Sequence, residues 1–95
     1  MKELSIKEIK TFEDLKVYQK ARQLRVKIYR LIKKLPKSED FNLISQMKRA
    51  ALSLTNNLAE GYGRYNYQEK IQFCRQARGS AYELIDDLNC CIDEK

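Results

Sequence analysis

Histidine and tryptophan are absent from this 95-residue chain, and proline occurs once. Without histidine the chain lacks the side chain that most often acts as a general base near neutral pH, and the usual nitrogen ligand of zinc. Three cysteines, Cys74, Cys90 and Cys91, form an odd set without regular spacing. Adjacent residues such as Cys90 and Cys91 pair poorly, so the set reads as thiols in a reducing cytoplasm and not as a disulfide framework. A zinc site would need all three thiols and a carboxylate, and no metal and no cofactor is expected. One proline and three glycines leave few breaks, which favours a few long helices, and no alternating apolar run between turn residues signals a strand. No apolar run approaches the ~18 residues of a membrane span. Met1 to Lys10 mixes charge with isolated apolar residues and has no leader-like apolar core, so the expectation is a soluble cytoplasmic protein that does not engage a membrane.

What the chain does contain is charge, unevenly spread. Of its 19 Lys and Arg and 13 Asp and Glu, residues 1–78 hold 18 basic and 8 acidic, a balance of +10, and residues 79–95 hold one basic and five acidic. A basic body with an acidic end attracts polyanions, so nucleic acid is the first partner to consider; the plainer reading is a solvated helical surface.

Helical periodicity organises the rest into a single domain, residues 1–95. Residues 1–10 read as a short arm. Thr11 ahead of Phe12, Glu13 and Asp14 reads as an N-cap with acidic residues in the first turn. Val17, Ala21, Leu24, Ile28, Leu31 and Leu35 then follow the alternating four-three spacing of a bundle seam, widened by Tyr18 and Ile32. Pro36 ends this helix, which is expected over about residues 13–35. A polar link follows, with Ser38, Asp40 and Asn42 as alternative caps for a second helix over about 42–61. That helix places Ile44, Met47, Ala51, Leu54 and Leu58 on one face and Gln46, Arg49, Ser53, Asn57 and Glu60 on another. Gly61 and Gly63 can stop it in the left-handed C-cap conformation. Asn66 and Glu69 form a capping-box pattern for a third helix over about 67–92, with Ile71, Cys74, Ala77, Ala81, Leu84, Leu88 and Cys91 on one face. Gly79, among Ala77, Ser80 and Ala81, predicts a close helix approach, with Ala50 and Ala51 as the counterpart. Short links make the three helices antiparallel, up-down-up neighbours of an all-α fold.

Three ordered blocks carry a family resemblance: Phe12 to Ala21, Gln46 to Arg64 around Asn57-Leu-Ala-Glu-Gly61, and Phe73 to Leu84. The chain resembles the four-helix bundle family that includes proteins encoded by intervening sequences in bacterial 23S ribosomal RNA genes. The resemblance implies a left-handed antiparallel bundle and a homo-oligomer, with a pentameric ring as the family arrangement. It also implies kinship with accessory proteins of reverse transcriptases in diversity-generating retroelements, whose basic surfaces contact nucleic acid and the enzyme. Ser53, Asn57, Glu60, Gly61, Gly63, Gly79, Ser80 and Glu83 fall in the matching blocks as structural positions. Thr55 stands where the family commonly has proline. The family continues into a fourth helix after the third, so three long helices are expected here with the fourth absent or truncated.

For chemistry, Glu60 lies with Asn57 and Arg64 at i, i+3 and i+7 beside the apolar seam, as a buried base or, more simply, as an ion pair that fixes register. No second acid, activated nucleophile or phosphate loop accompanies it, and Ser53 and Ser80 have no histidine to activate them. An enzyme is not expected. The candidate nucleic-acid contacts are Lys16, Lys20, Lys27 and Lys34 along one edge of the first helix, with Arg30 beyond them. Arg22 and Arg25 lie on its other side with Lys33, Tyr18 and Tyr29, and Lys48, Arg49 and Arg64 complete the set. Tyr62, Arg64, Tyr65 and Tyr67 form an aromatic-basic turn, able to stack single-stranded bases if exposed but more simply packed over the end of the bundle. The expected function is non-enzymatic binding of nucleic acid, RNA ahead of DNA. The alternative is a protein-interaction scaffold that docks an enzyme such as a reverse transcriptase. A helix-turn-helix reader fits less well, since no short recognition helix is present.

Overall fold

A computed structural model describes residues 11–35 and 41–93, with the side chains of Phe41 and Asn42 left aside. The arm at 1–10, Pro36 and the cap candidates Ser38 and Asp40 lie outside the described residues, and Asn42 falls inside a helix. The described chain is all-helical: a 3₁₀ turn, Phe12–Asp14, then α1 Lys16–Lys34, α2 Phe41–Tyr62 and α3 Tyr67–Asp93.

The first helix starts later than its cap signal implies. Thr11 and Asp14 do form a capping box, in which the Thr11 hydroxyl accepts from the Glu13 amide at 3.0 Å and Asp14 accepts from the Thr11 amide at 3.2 Å. That box closes only the 3₁₀ turn; Leu15 is extended, and α1 begins at Lys16. The Phe12 and Tyr18 rings pack edge-to-face with their centres 4.9 Å apart, which ties the turn back onto the helix. At the other end Leu35 is extended, as the residue before a proline must be.

Two buried clusters set the topology. Ala21, Leu54 and Ala77 meet at one level; Ile28 and Ile32, Met47, Ala50 and Ala51, and Leu84 meet at the other. Rising numbers in α1 and α3 against falling numbers in α2 make successive helices antiparallel. The helix α2 lies in the middle: it packs on both neighbours, and no Cα of α1 comes within 8 Å of one in α3. The resulting slab measures 47 × 34 × 16 Å.

Packing corrects several expectations. The buried row of α1 is Tyr18, Ala21, Ile28 and Ile32, with Arg25 half-buried among them; Val17 is 56% exposed and Leu24 37%. Having only one helix to lie against, α1 turns its Tyr18–Arg25–Ile32 edge inward and leaves the Val17–Leu24 edge out. On α3, Phe73 is half-buried while Cys74 is exposed, because Ser80, Leu84 and Asp87 set which face meets α2. Neither Gly61 nor Gly63 takes a positive φ, so neither is a left-handed cap. Gly61 lies inside α2, where a Cβ would sit 3.0 Å from the Phe73 Cβ; the close approach of α2 and α3 is here. Gly79 is exposed, and a Cβ added there would meet nothing within 4 Å, so the approach expected at that residue does not occur. Asn66 caps α3: its Oδ1 accepts from the amides of Gln68 at 2.7 Å and Glu69 at 3.2 Å.

Candidate nucleic-acid interface

Helix α1 carries eight cations and no carboxylate over its 19 residues. Lys16, Lys20, Lys27 and Lys34 are exposed, as are Arg22, Arg30 and Lys33, and among the described residues none of them forms an ion pair. The geometry follows from periodicity. Lys20, Lys27 and Lys34 recur every seven residues, which lines them up over roughly 21 Å of helix. A shallow groove of ≈ 450 Å³ on the outward side is lined by Gln19, Arg22, Gln23, Val26, Lys27 and Arg30, so amides and cations share one surface. Such a surface offers hydrogen-bond donors at phosphate-binding charge density.

Arg25 departs from this set. Its Nη1 donates to the Thr55 hydroxyl at 2.7 Å, and that hydroxyl donates in turn to the Leu52 carbonyl at 3.1 Å. Thr55 is buried, so this bridge pins α1 to α2, and a proline at that position could not make it. Lys48 is exposed on α2. Arg49 turns towards α3, where it lies 3.9 Å from the Glu83 carboxylate. Arg64 lies 4.0 Å from Glu60 and places its guanidinium over the Phe73 ring at 4.9 Å. The ten candidates therefore do not form one patch: six of them share the α1 surface.

The cluster of Asn57, Glu60 and Arg64 divides. Glu60 and Arg64 pair in solvent, while Asn57 turns to Ser53, its Nδ2 donating to the Ser53 carbonyl at 2.9 Å and hydroxyl at 3.1 Å. The Ser53 and Ser80 hydroxyls lie 2.9 Å apart across the α2–α3 contact, so these three polar side chains satisfy one another inside the packing. Gly63 follows α2, its amide donating to the Glu60 carbonyl at 3.1 Å.

Two features lie beyond the expectations drawn from sequence. Lys70, Arg75 and Arg78 border a second cleft of ≈ 360 Å³ with Tyr67, Ile71 and Cys74 on the first half of α3. A signal for it exists, since residues 70–82 contain no acid. The other is Asp87, 4% exposed, whose Oδ2 has no hydrogen-bond partner. Burial pushes its carboxyl above the ordinary value, Glu83 and Asp86 push the same way, and Arg49 opposes them. Among the described residues no three potential metal ligands converge, and no helix is long and apolar enough to cross a membrane.

No curated protein and no solved structure matches the chain significantly. Residues 13–95 match the family model described as 23S rRNA-intervening sequence protein.

Proposed function

Since the chain belongs to the 23S rRNA-intervening sequence protein family, as its three sequence blocks indicated, we propose that it is a non-enzymatic, oligomeric nucleic-acid-binding protein of the cytoplasm whose primary contact surface is α1. The observation that carries this reading is the row of exposed cations on a helix with no carboxylate of its own. An ordinary solvated helix intersperses the two signs, which stabilises it by i,i+4 pairing; α1 forgoes that. RNA stands ahead of DNA because the family description ties its members to 23S rRNA intervening sequences.

Oligomerisation has its own support. Arg25 reaches Thr55 from one edge of α1, and Val17, Leu24 and Leu31 run along the other. On α3, Ser80 meets Ser53 from one edge, while Ala81, Ile85, Leu88 and Ile92 run along the opposite side. Leu31 and Leu88 pack on the same Met47 core, so both apolar edges flank the open side between α1 and α3. A fourth helix, or another subunit of a homo-oligomer such as a pentamer, would close the bundle there and repeat the basic surface. The same open side is what a scaffold docking a partner enzyme would use, and this is the second reading.

The test is fluorescence anisotropy with labelled RNA and duplex DNA across a salt series. Tight, salt-steep binding is expected, and Lys20→Ala/Lys27→Ala/Lys34→Ala should lower the log–log salt slope on single-stranded RNA by about 2, at ~0.7 per phosphate contact. Alanine is a strong helix former, so helicity should be retained, which circular dichroism checks. Unchanged affinity in a folded triple variant would reject the surface.

A further inference from the structure

We propose that the turn between α2 and α3 is a distinct subsite that stacks the unpaired bases of single-stranded RNA. Tyr65 is wholly exposed and Tyr67 is 75% exposed, so neither ring packs over the end of the helices; Tyr62, 37% exposed at the end of α2, is partly covered. Two aromatic rings two residues apart, Tyr65 and Tyr67, left in water and burying little of their own area, are a surface without a structural use. Cations already stand against rings here. The Lys70 ammonium lies 5.9 Å from the Tyr62 ring centre, and Arg64 lies over Phe73. Tyr67 also borders the ≈ 360 Å³ cleft whose remaining walls are Lys70, Ile71, Cys74, Arg75 and Arg78.

The chemistry this arrangement recognises has two parts. A flat apolar face beside a cationic rim matches a base attached to a phosphate, and it does so without reading sequence, because every base has a π-face. A duplex hides its base faces in the stack, so it can use the cations but not the rings. Asn66 fixes the start of α3 with two hydrogen bonds, which holds Tyr65 and Tyr67 on either side of a rigid cap. Glu60 offsets Arg64 and Glu69 stands nearby outside an ion pair, but the cleft itself is lined by Lys70, Arg75 and Arg78 with no carboxylate, so its rim is cationic.

This inference rests on the nucleic-acid reading above, and the experiment separates the two. The probes are fluorescein-labelled oligoadenylate and a fully paired RNA duplex of the same length, titrated with the full chain. The variants are Tyr65→Leu/Tyr67→Leu, which keeps apolar bulk and removes the aromatic face, and Tyr65→Phe/Tyr67→Phe, which keeps the face and removes the hydroxyl. Both positions are exposed, so neither change disturbs the core. The leucine variant should lose roughly tenfold or more in affinity for the single strand and less than about twofold for the duplex, and the phenylalanine variant should bind both as the parent does. With no tryptophan in the chain, quenching of tyrosine emission by oligoadenylate gives an independent readout that the leucine variant should weaken. Undiminished single-strand affinity in the leucine variant, or an equal loss for strand and duplex, overturns the stacking site while leaving the α1 surface standing. A parent chain that binds neither probe at low salt overturns both.

Discussion

The two sides of α2 are built from different materials. Towards α3 it presents Ala50, Ser53 and Gly61, and α3 answers with Ala77, Ser80 and Phe73, so the backbones approach until a single added Cβ would collide. Towards α1 it presents Met47, Ala51, Leu54 and Thr55, answered by Ile28, Ile32, Ala21 and the long Arg25 side chain, with Val17 and Leu24 left partly exposed. Small residues permit a close, extensive contact; a bridging arginine holds a helix at greater reach over less area. The α2–α3 pair therefore shares the closer and more extensive contact, and α1 is a helix docked on it with its cationic side turned outward.

The sharpest test of that contrast is a pair of leucines. Leu84→Ala removes a side chain that is 1% exposed in the core and should cost about 2–5 kcal/mol in urea denaturation, whereas Leu24→Ala should fall within about 0.5 kcal/mol. A loss at Leu24 as large as at Leu84 would show that another chain buries that edge in solution. The glycines should part in sign. Gly61→Ala drives a methyl against the Phe73 Cβ and should destabilise by about 1–3 kcal/mol, while Gly79→Ala meets open space at a negative φ and should stabilise by about 1 kcal/mol. If both substitutions stabilised, the close approach at Gly61 would be wrong.

Asp87 provides the subtlest probe of the α2–α3 side. Its carboxyl is raised in the folded chain, so the folded state holds the proton more tightly than the unfolded state does. Stability from this group is fully present below the ordinary aspartate value of 3.8 and is lost as pH rises through the raised value. Asp87→Asn should then be the more stable protein at pH 7, with the two denaturation curves converging as pH falls towards 3.8. A constant offset at every pH would mean that Asp87 is not desolvated as the packing requires.

The helices themselves are legible from spacing, because a 3.6-residue period and an Asn or Thr before a polar first turn are local signals. The serine pair lies at matching positions of two such periods, and the basic surface of α1 needs only that the helix form. Where sequence and structure part, the deciding fact is a neighbour. The four-three spacing of α1 describes a seam enclosed by helices, and with one neighbour the helix rolls onto its Tyr18–Arg25–Ile32 edge. Gly79 has the small flanking residues of a contact, yet the contact falls to Gly61, since which small residue is used depends on where two helices cross. The glycines after Glu60 have the pattern of a left-handed cap, but α2 runs through the first of them.

Sequence alone determined the helical class, the family, the absence of histidine chemistry and the charge of α1, all of which depend on residue identity and short-range order. Only the tertiary structure decided that Arg25 bridges to Thr55, that one carboxylate oxygen of Asp87 is buried without a hydrogen bond, and that Tyr65 and Tyr67 face water. Those outcomes depend on which atoms arrive within a few ångströms from distant points of the chain, and periodicity within a single helix does not encode them.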